Sequence, residues 1–238
     1  MLISAMTIAQ VETFIRWSPS HWWALIAIVL IIAGLLLGIK KLDEHRRWLI
    51  AKILGSAVLL TFLLSALAHL TLDHTETWQE RLPLHFCGVM SIICFIALWT
   101  RQAWACALSY FAVLTASIQA LITPMLFEDF PSRGYFSFFM NHGLLFISAL
   151  AIPCLLKWRA RPWDALRCLL LCDLYLLFII PMNILLHTNF GFTNEAPPYS
   201  ILDYFGSPPW YFLSLQVPAF LVFQLLYLMV RHPQLRRY

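Results

Sequence analysis

Long apolar runs, broken by short charged or proline-containing stretches, fill almost the whole chain. A membrane-spanning helix takes roughly 20 mostly apolar residues. Seven such runs can be marked, at about 22–39, 49–70, 83–99, 103–122, 135–156, 165–187 and 208–230. Pro83 fits the first turn of the third run, whereas Pro181 and Pro218 fall inside the sixth and seventh and can kink them. Period-two alternation is absent, which argues against a membrane barrel. The pattern therefore predicts an all-α polytopic membrane protein, a single transmembrane domain of seven helices over residues 1–238.

Composition strengthens that expectation. Of 238 residues, 61% are hydrophobic and 12% charged, with a mean hydropathy of +0.75. Ordinary soluble domains carry about 25% charged residues, and a soluble fold of this length cannot hide so much apolar surface. Glu12 and Arg16 precede the first long run and no small-residue cleavage site follows it, so no cleaved signal peptide is expected.

Charge then predicts orientation. The connections after the first, third and fifth runs and the tail hold Lys40, Lys41, Arg46, Arg47, Lys52, Arg101, Lys157, Arg159, Arg161, Arg167, Arg231, Arg236 and Arg237. The other side holds Arg16, Arg81 and Arg133. Thirteen against three is a strong positive-inside bias. It puts the N-terminus outside and the C-terminus in the cytoplasm of a cell-membrane protein. The net charge of +4 thus reads as topology, and membrane lipids rather than nucleic acid are the expected partners. Trp17, Trp22, Trp23, Trp78, Tyr135, Tyr204, Trp210 and Tyr211 would form an outer aromatic belt.

Polar residues inside a bilayer are costly and are functional candidates by default. Here they gather toward one end of the runs: His85 and Cys87 open the third, and Gln119 and Thr123 close the fourth. Asn141 and His142 lie about two turns into the fifth, Asn183 and His187 close the sixth, and Trp210 and Tyr211 open the seventh. The other half offers chiefly Asp173. Either these groups line one shared pocket or they are interhelical hydrogen-bond glue, worth about 0.6–2 kcal/mol each.

Cys87 and His142 are the sharpest pair, because an imidazole can turn a thiol into a thiolate nucleophile. The six cysteines otherwise read as small apolar filler with no structural disulfide. Cys168 and Cys172, four apart, read as packing rather than as metal ligands. A zinc site from His85, Cys87, His142 and His187 would not follow a recognised ligand spacing, so no metal is predicted. No phosphate loop, GxSxG elbow or HExxH motif is present, and no cofactor is expected.

Four stretches carry a family resemblance: Leu-Pro-Leu-His-Phe-Cys-Gly at 82–88, Ser-Ile-Gln-Ala-Leu-Ile-Thr-Pro at 117–124, Phe-Phe-Met-Asn-His-Gly-Leu at 138–144, and the segment from Pro198 through Ser207-Pro208-Pro209-Trp210-Tyr211. In this order they resemble the YwaF family of bacterial integral membrane proteins. That family is similar to a eukaryotic transmembrane acyltransferase that moves fatty acyl chains between phospholipids through a cysteine thioester. The resemblance implies Cys87 as nucleophile and His142 as base, in a lipid-directed acyltransferase or hydrolase near the outer leaflet, with Asn183 or Gln119 helping to hold the oxyanion. The alternative is a non-enzymatic membrane protein, either a small-solute transporter or an assembly partner.

Overall fold

A computed structural model describes residues 13–72, 77–197, 200–208 and 210–231. Glu12, Pro198, Pro209, Arg236 and Arg237 lie outside the described residues. Seven helices cross one another: α1 (Pro19–Ile39), α2 (Glu44–Leu72), α3 (Phe86–Thr100), α4 (Ala103–Ile122), α5 (Arg133–Leu155), α6 (Asp164–Leu186) and α7 (Tyr211–Val230). Six of them are long and apolar enough to cross a membrane, and α3 is the shorter apolar exception. The chain is a multi-pass membrane protein, all-helical, and no strand forms among the described residues.

Side chains and connections set the helix ends. Ser18 Oγ accepts from His21 N at 3.4 Å and Pro19 follows it at the start of α1. Asp43 Oδ1 accepts from Arg46 N at 2.8 Å before α2, and Ser132 Oγ accepts from Tyr135 N at 3.1 Å before α5. Each satisfies an amide that the helix itself leaves open. Arg101 ends α3 in the left-handed conformation (φ 58°) and turns the chain at once into α4.

Burial separates the helices into two classes. In α4 and α5, 67% and 56% of the spanning window is buried, against 11% for α1, α6 and α7. Leu98, Ala105, Tyr110, Phe111, Leu145, Ala149 and Ile152 form the packed centre. Small residues such as Ala97, Ala105, Ala112 and Ala149 let those backbones approach, as helix packing in lipid requires. The lipid-facing helices keep Leu30, Leu177, Leu185, Leu213 and Leu225 outward.

Two departures from the expected spans matter. Within α4 the ladder loosens into a π turn over Ser109–Val113, which no proline or glycine in the sequence marks. And α3 begins at Phe86, three residues beyond Pro83. Its 15 residues make about 22 Å, short of the roughly 30 Å hydrocarbon layer. The start of α3 is recessed: Tyr175 on α6 donates to Leu84 O at 2.9 Å. Tyr175 lies 11 residues before Leu186, about 16 Å along the axis from that end of α6. A tyrosine side chain is too short to make up that distance.

We call the end of the bundle where α1, α3, α5 and α7 begin the mouth. There α1 is pinned to α4 by His21, which is fully buried. Its Nε2 donates to Leu121 O at 2.9 Å, and its Nδ1 accepts from Trp17 N at 3.0 Å. Both ring nitrogens are thereby committed, so this histidine is structural.

Gly88, in the first turn of α3, has no room for a methyl group. A Cβ there would lie 2.9 Å from a Phe62 ring carbon and 3.2 Å from the Pro83 carbonyl oxygen. The ring can shift but the backbone cannot, so Gly88→Ala should cost about 1–3 kcal/mol. A thermal melt of the detergent-solubilised protein should show it as a lower Tm, and an unchanged Tm would contradict the recessed packing.

Candidate functional site

The mouth is built where α3 starts without a cap. His85 holds the N-cap position at φ −59°, ψ 144° but makes no side-chain capping bond. The amides of Gly88 and Val89 both reach His85 O, at 2.9 and 3.2 Å. The amides of Phe86 and Cys87 find no partner among the described residues. Two N–H groups therefore point out of the recessed helix start, next to the Cys87 side chain, at the positive end of the helix dipole.

Cys87 sits on the face of α3 that meets α5. One turn further in, Ser91 Oγ donates to Cys87 O at 2.9 Å and lies 3.5 Å from Asn141 Oδ1. That contact sets the register of the two helices, and His142 follows Asn141 directly. Counted along the α3–α5 seam, Cys87 lies one turn before the Ser91–Asn141 contact and His142 one residue beyond it. They are not hydrogen-bonded to one another. Both side chains are half-buried.

The protonation of His142 follows from its one hydrogen bond. Nδ1 lies 2.9 Å from Phe138 O, and the ring stacks on Phe138 at 4.3 Å between centroids. A carbonyl only accepts, so Nδ1 carries a proton, and in the neutral tautomer that this bond selects the lone pair is at Nε2. Nε2 has no partner among the described residues.

The remaining candidates divide. Gln119 Nε2 donates to Thr123 Oγ1 at 2.8 Å, and Thr123 Oγ1 donates back to Gln119 O at 3.0 Å. This local pair closes α4 and leaves one amide proton of Gln119 free. His85 is exposed at the mouth and meets the edges of Phe190 and Phe192, at 5.0 and 6.0 Å. His187 is exposed in the left-handed C-cap of α6, where its backbone N–H donates to Asn183 O and its side chain has no partner among the described residues. Trp210 is exposed just before α7.

Asn183 is fully buried and fully spent. Its Nδ2 donates to Phe190 O at 2.8 Å and to Thr193 Oγ1 at 2.7 Å, and its Oδ1 accepts from Thr188 Oγ1 and Phe190 N. With both amide protons taken, Asn183 has none left for a substrate oxyanion. What it builds is the loop after α6, which folds back into the mouth. Among the described residues no three His, Cys, Asp or Glu side chains gather as a metal site.

The TMEM164 family model matches residues 16–227. The chain belongs to the TMEM164 family, a family of transmembrane proteins. No curated protein and no solved structure matches it. In this TMEM164-family chain the match runs from before α1 into the last turn of α7, so the recessed α3 and the folded loop both lie within it.

Tyr175, Ser91 and the Phe86 amide carried no signal in the sequence. Tyr175 sits mid-helix among apolar residues, Ser91 is one small residue in α3, and a backbone amide has no letter of its own. The loop makes a clear contrast testable. Asn183→Ala strands four buried partners and should lower stability by about 2–4 kcal/mol. His187→Gly relieves a left-handed residue and should raise it by up to about 1 kcal/mol. Melting curves of both variants read the difference, and equal Tm values would contradict the assigned roles.

Proposed function

We propose that the chain acts on the acyl esters of membrane lipids, as an acyltransferase or hydrolase with Cys87 as nucleophile and His142 as base. The observation that carries this reading is the uncapped, recessed start of α3. It sets a thiol beside two amides that find no partner among the described residues, with His142, whose Nε2 has no partner there either, on the facing helix α5. Nothing in simple helix packing calls for that combination at membrane depth.

His142 Nε2 takes the Cys87 proton as sulfur attacks the ester carbonyl. The carbonyl oxygen becomes an oxyanion, and the Phe86 and Cys87 N–H groups are placed to hold it. Gln119 has one amide proton to add from α4. The intermediate collapses, the ester C–O bond breaks, and the His142 imidazolium returns the proton to the departing lipid alkoxide. An acyl thioester remains on Cys87. Attack by water then gives a free fatty acid, and attack by a second lipid hydroxyl gives a new ester, with His142 again moving the proton. A lipid ester carbonyl lies near the membrane interface, and a site within a few turns of the mouth suits that depth.

The four sequence stretches that resemble the YwaF family point to the same pair of residues. The thirteen-to-three distribution of Lys and Arg supports a mouth on the outer leaflet of the cell membrane.

The reading is tested with purified protein in mixed micelles containing a phospholipid with an alkyne-tagged acyl chain. Hydroxylamine-sensitive tagging of Cys87, located by mass spectrometry, is expected in the unaltered chain. It should vanish in Cys87→Ala and form at least about 100-fold more slowly in His142→Ala. Tagging that survives both substitutions would overturn the assignment and leave a non-enzymatic role.

A further inference from the structure

Tyr175 has no place in the chemistry above, yet it contacts both the start of α3 and the loop after α6. Its hydroxyl donates to Leu84 O at 2.9 Å, and its ring meets Phe86 edge-on at 5.2 Å. Leu84 and Phe86 flank the uncapped His85. On the other side sits Gly191, in the left-handed region at φ +64°. A Cβ on Gly191 would lie 3.1 Å from the Tyr175 hydroxyl and 3.3 Å from its ring. The backbone of the folded loop is therefore in direct contact with this side chain.

Asn183 fixes that loop. Its four hydrogen bonds hold Thr188, Phe190 and Thr193 around Gly191, while Phe190 and Phe192 meet His85 from the same segment. A helix start with two open amides and no side-chain cap has nothing of its own to keep its first turn from fraying. The Tyr175 hydrogen bond to Leu84 is a polar contact that ties the residues before the turn to another helix.

We propose that Tyr175 is a positioning residue. Its hydroxyl, seated between Leu84 and Gly191, fixes the turn that opens α3 and so aims the Cys87 thiol and the Phe86 and Cys87 amides; the Asn183-built loop holds Tyr175 there. The hydroxyl proton is committed to Leu84 O, so Tyr175 acts through the turn and not on the substrate. The kinetic consequence rests on the acyl-transfer reading above, whereas the structural one does not.

Two measurements on Tyr175→Phe separate them. Amide hydrogen exchange of the 84–92 region should run about five-fold faster or more, as loss of one net hydrogen bond implies, while the centre of α4 and α5 keeps its protection. With a tagged phospholipid substrate, kcat should fall roughly ten-fold or more and KM should stay within about two-fold, because misaiming costs rate rather than binding. Gly191→Ala, which presses on the hydroxyl from the other side, should move both readouts in the same direction. Unchanged exchange in both variants overturns the positioning role. Faster exchange with an unchanged kcat overturns its link to the site. Faster exchange in a protein whose unaltered form shows no turnover keeps the positioning role and overturns the acyl-transfer reading instead.

Discussion

Backbone N–H and C=O groups find no water in the hydrocarbon layer, so each must be satisfied by protein or open onto a cavity. In this chain the start of α3 meets that demand only in part, because it begins below the end of α6, beside Tyr175. The 82–85 segment is non-helical backbone within the bundle, and two amides after it stay unpartnered. Such a backbone persists only when its surroundings hold it. Here Phe62 and the Pro83 carbonyl crowd Gly88, Tyr175 grips Leu84, and the loop after α6 folds in from outside.

The two classes of helix follow from the same requirement. A polar, irregular mouth needs rigid walls, and α4 and α5 supply them as the most buried spans. On the wall formed by α3 and α5, polar groups continue inward from Cys87 through Ser91 and Asn141. Deeper still, the buried Ser109 and Ser148 hydroxyls flank Cys94, and Ser109 opens the π turn of α4. The lipid-facing helices α1, α6 and α7 carry little of this. Asp173, which donates nothing and accepts from Gln216 Nε2 at 2.8 Å, is an isolated α6–α7 tie.

Membrane character and the helix count were legible in the sequence, because apolar runs separated by charge are strong signals. The ends of α1, α5 and α6 fall within a few residues of the apolar boundaries for the same reason. The start of α3 was not legible. Pro83 suits a first helical turn in isolation, and only contact with α6 and the folded loop shows the chain still extended at His85. The polar layer was legible as a list but not as an assignment. Asn183 and Asn141 look alike in sequence, being polar residues near helix ends. One spends every hydrogen bond on its own loop, and the other faces Ser91 across a helix seam.

The choice among six thiols is likewise decided by surroundings. Cys94, Cys106 and Cys168 are buried in the packed centre. Cys154 is exposed near the far end of α5, and Cys172 lies half-buried on α6 next to Asp173. Cys87 combines three features: it is half-buried, its own amide and the one before it are open among the described residues, and His142, whose Nε2 has no partner there, stands on the facing helix α5. Each property alone is common in a helical membrane protein. Their coincidence depends on the recessed helix start, since a cap at His85, or an α3 begun at Pro83, would close the amides and carry the thiol away from His142.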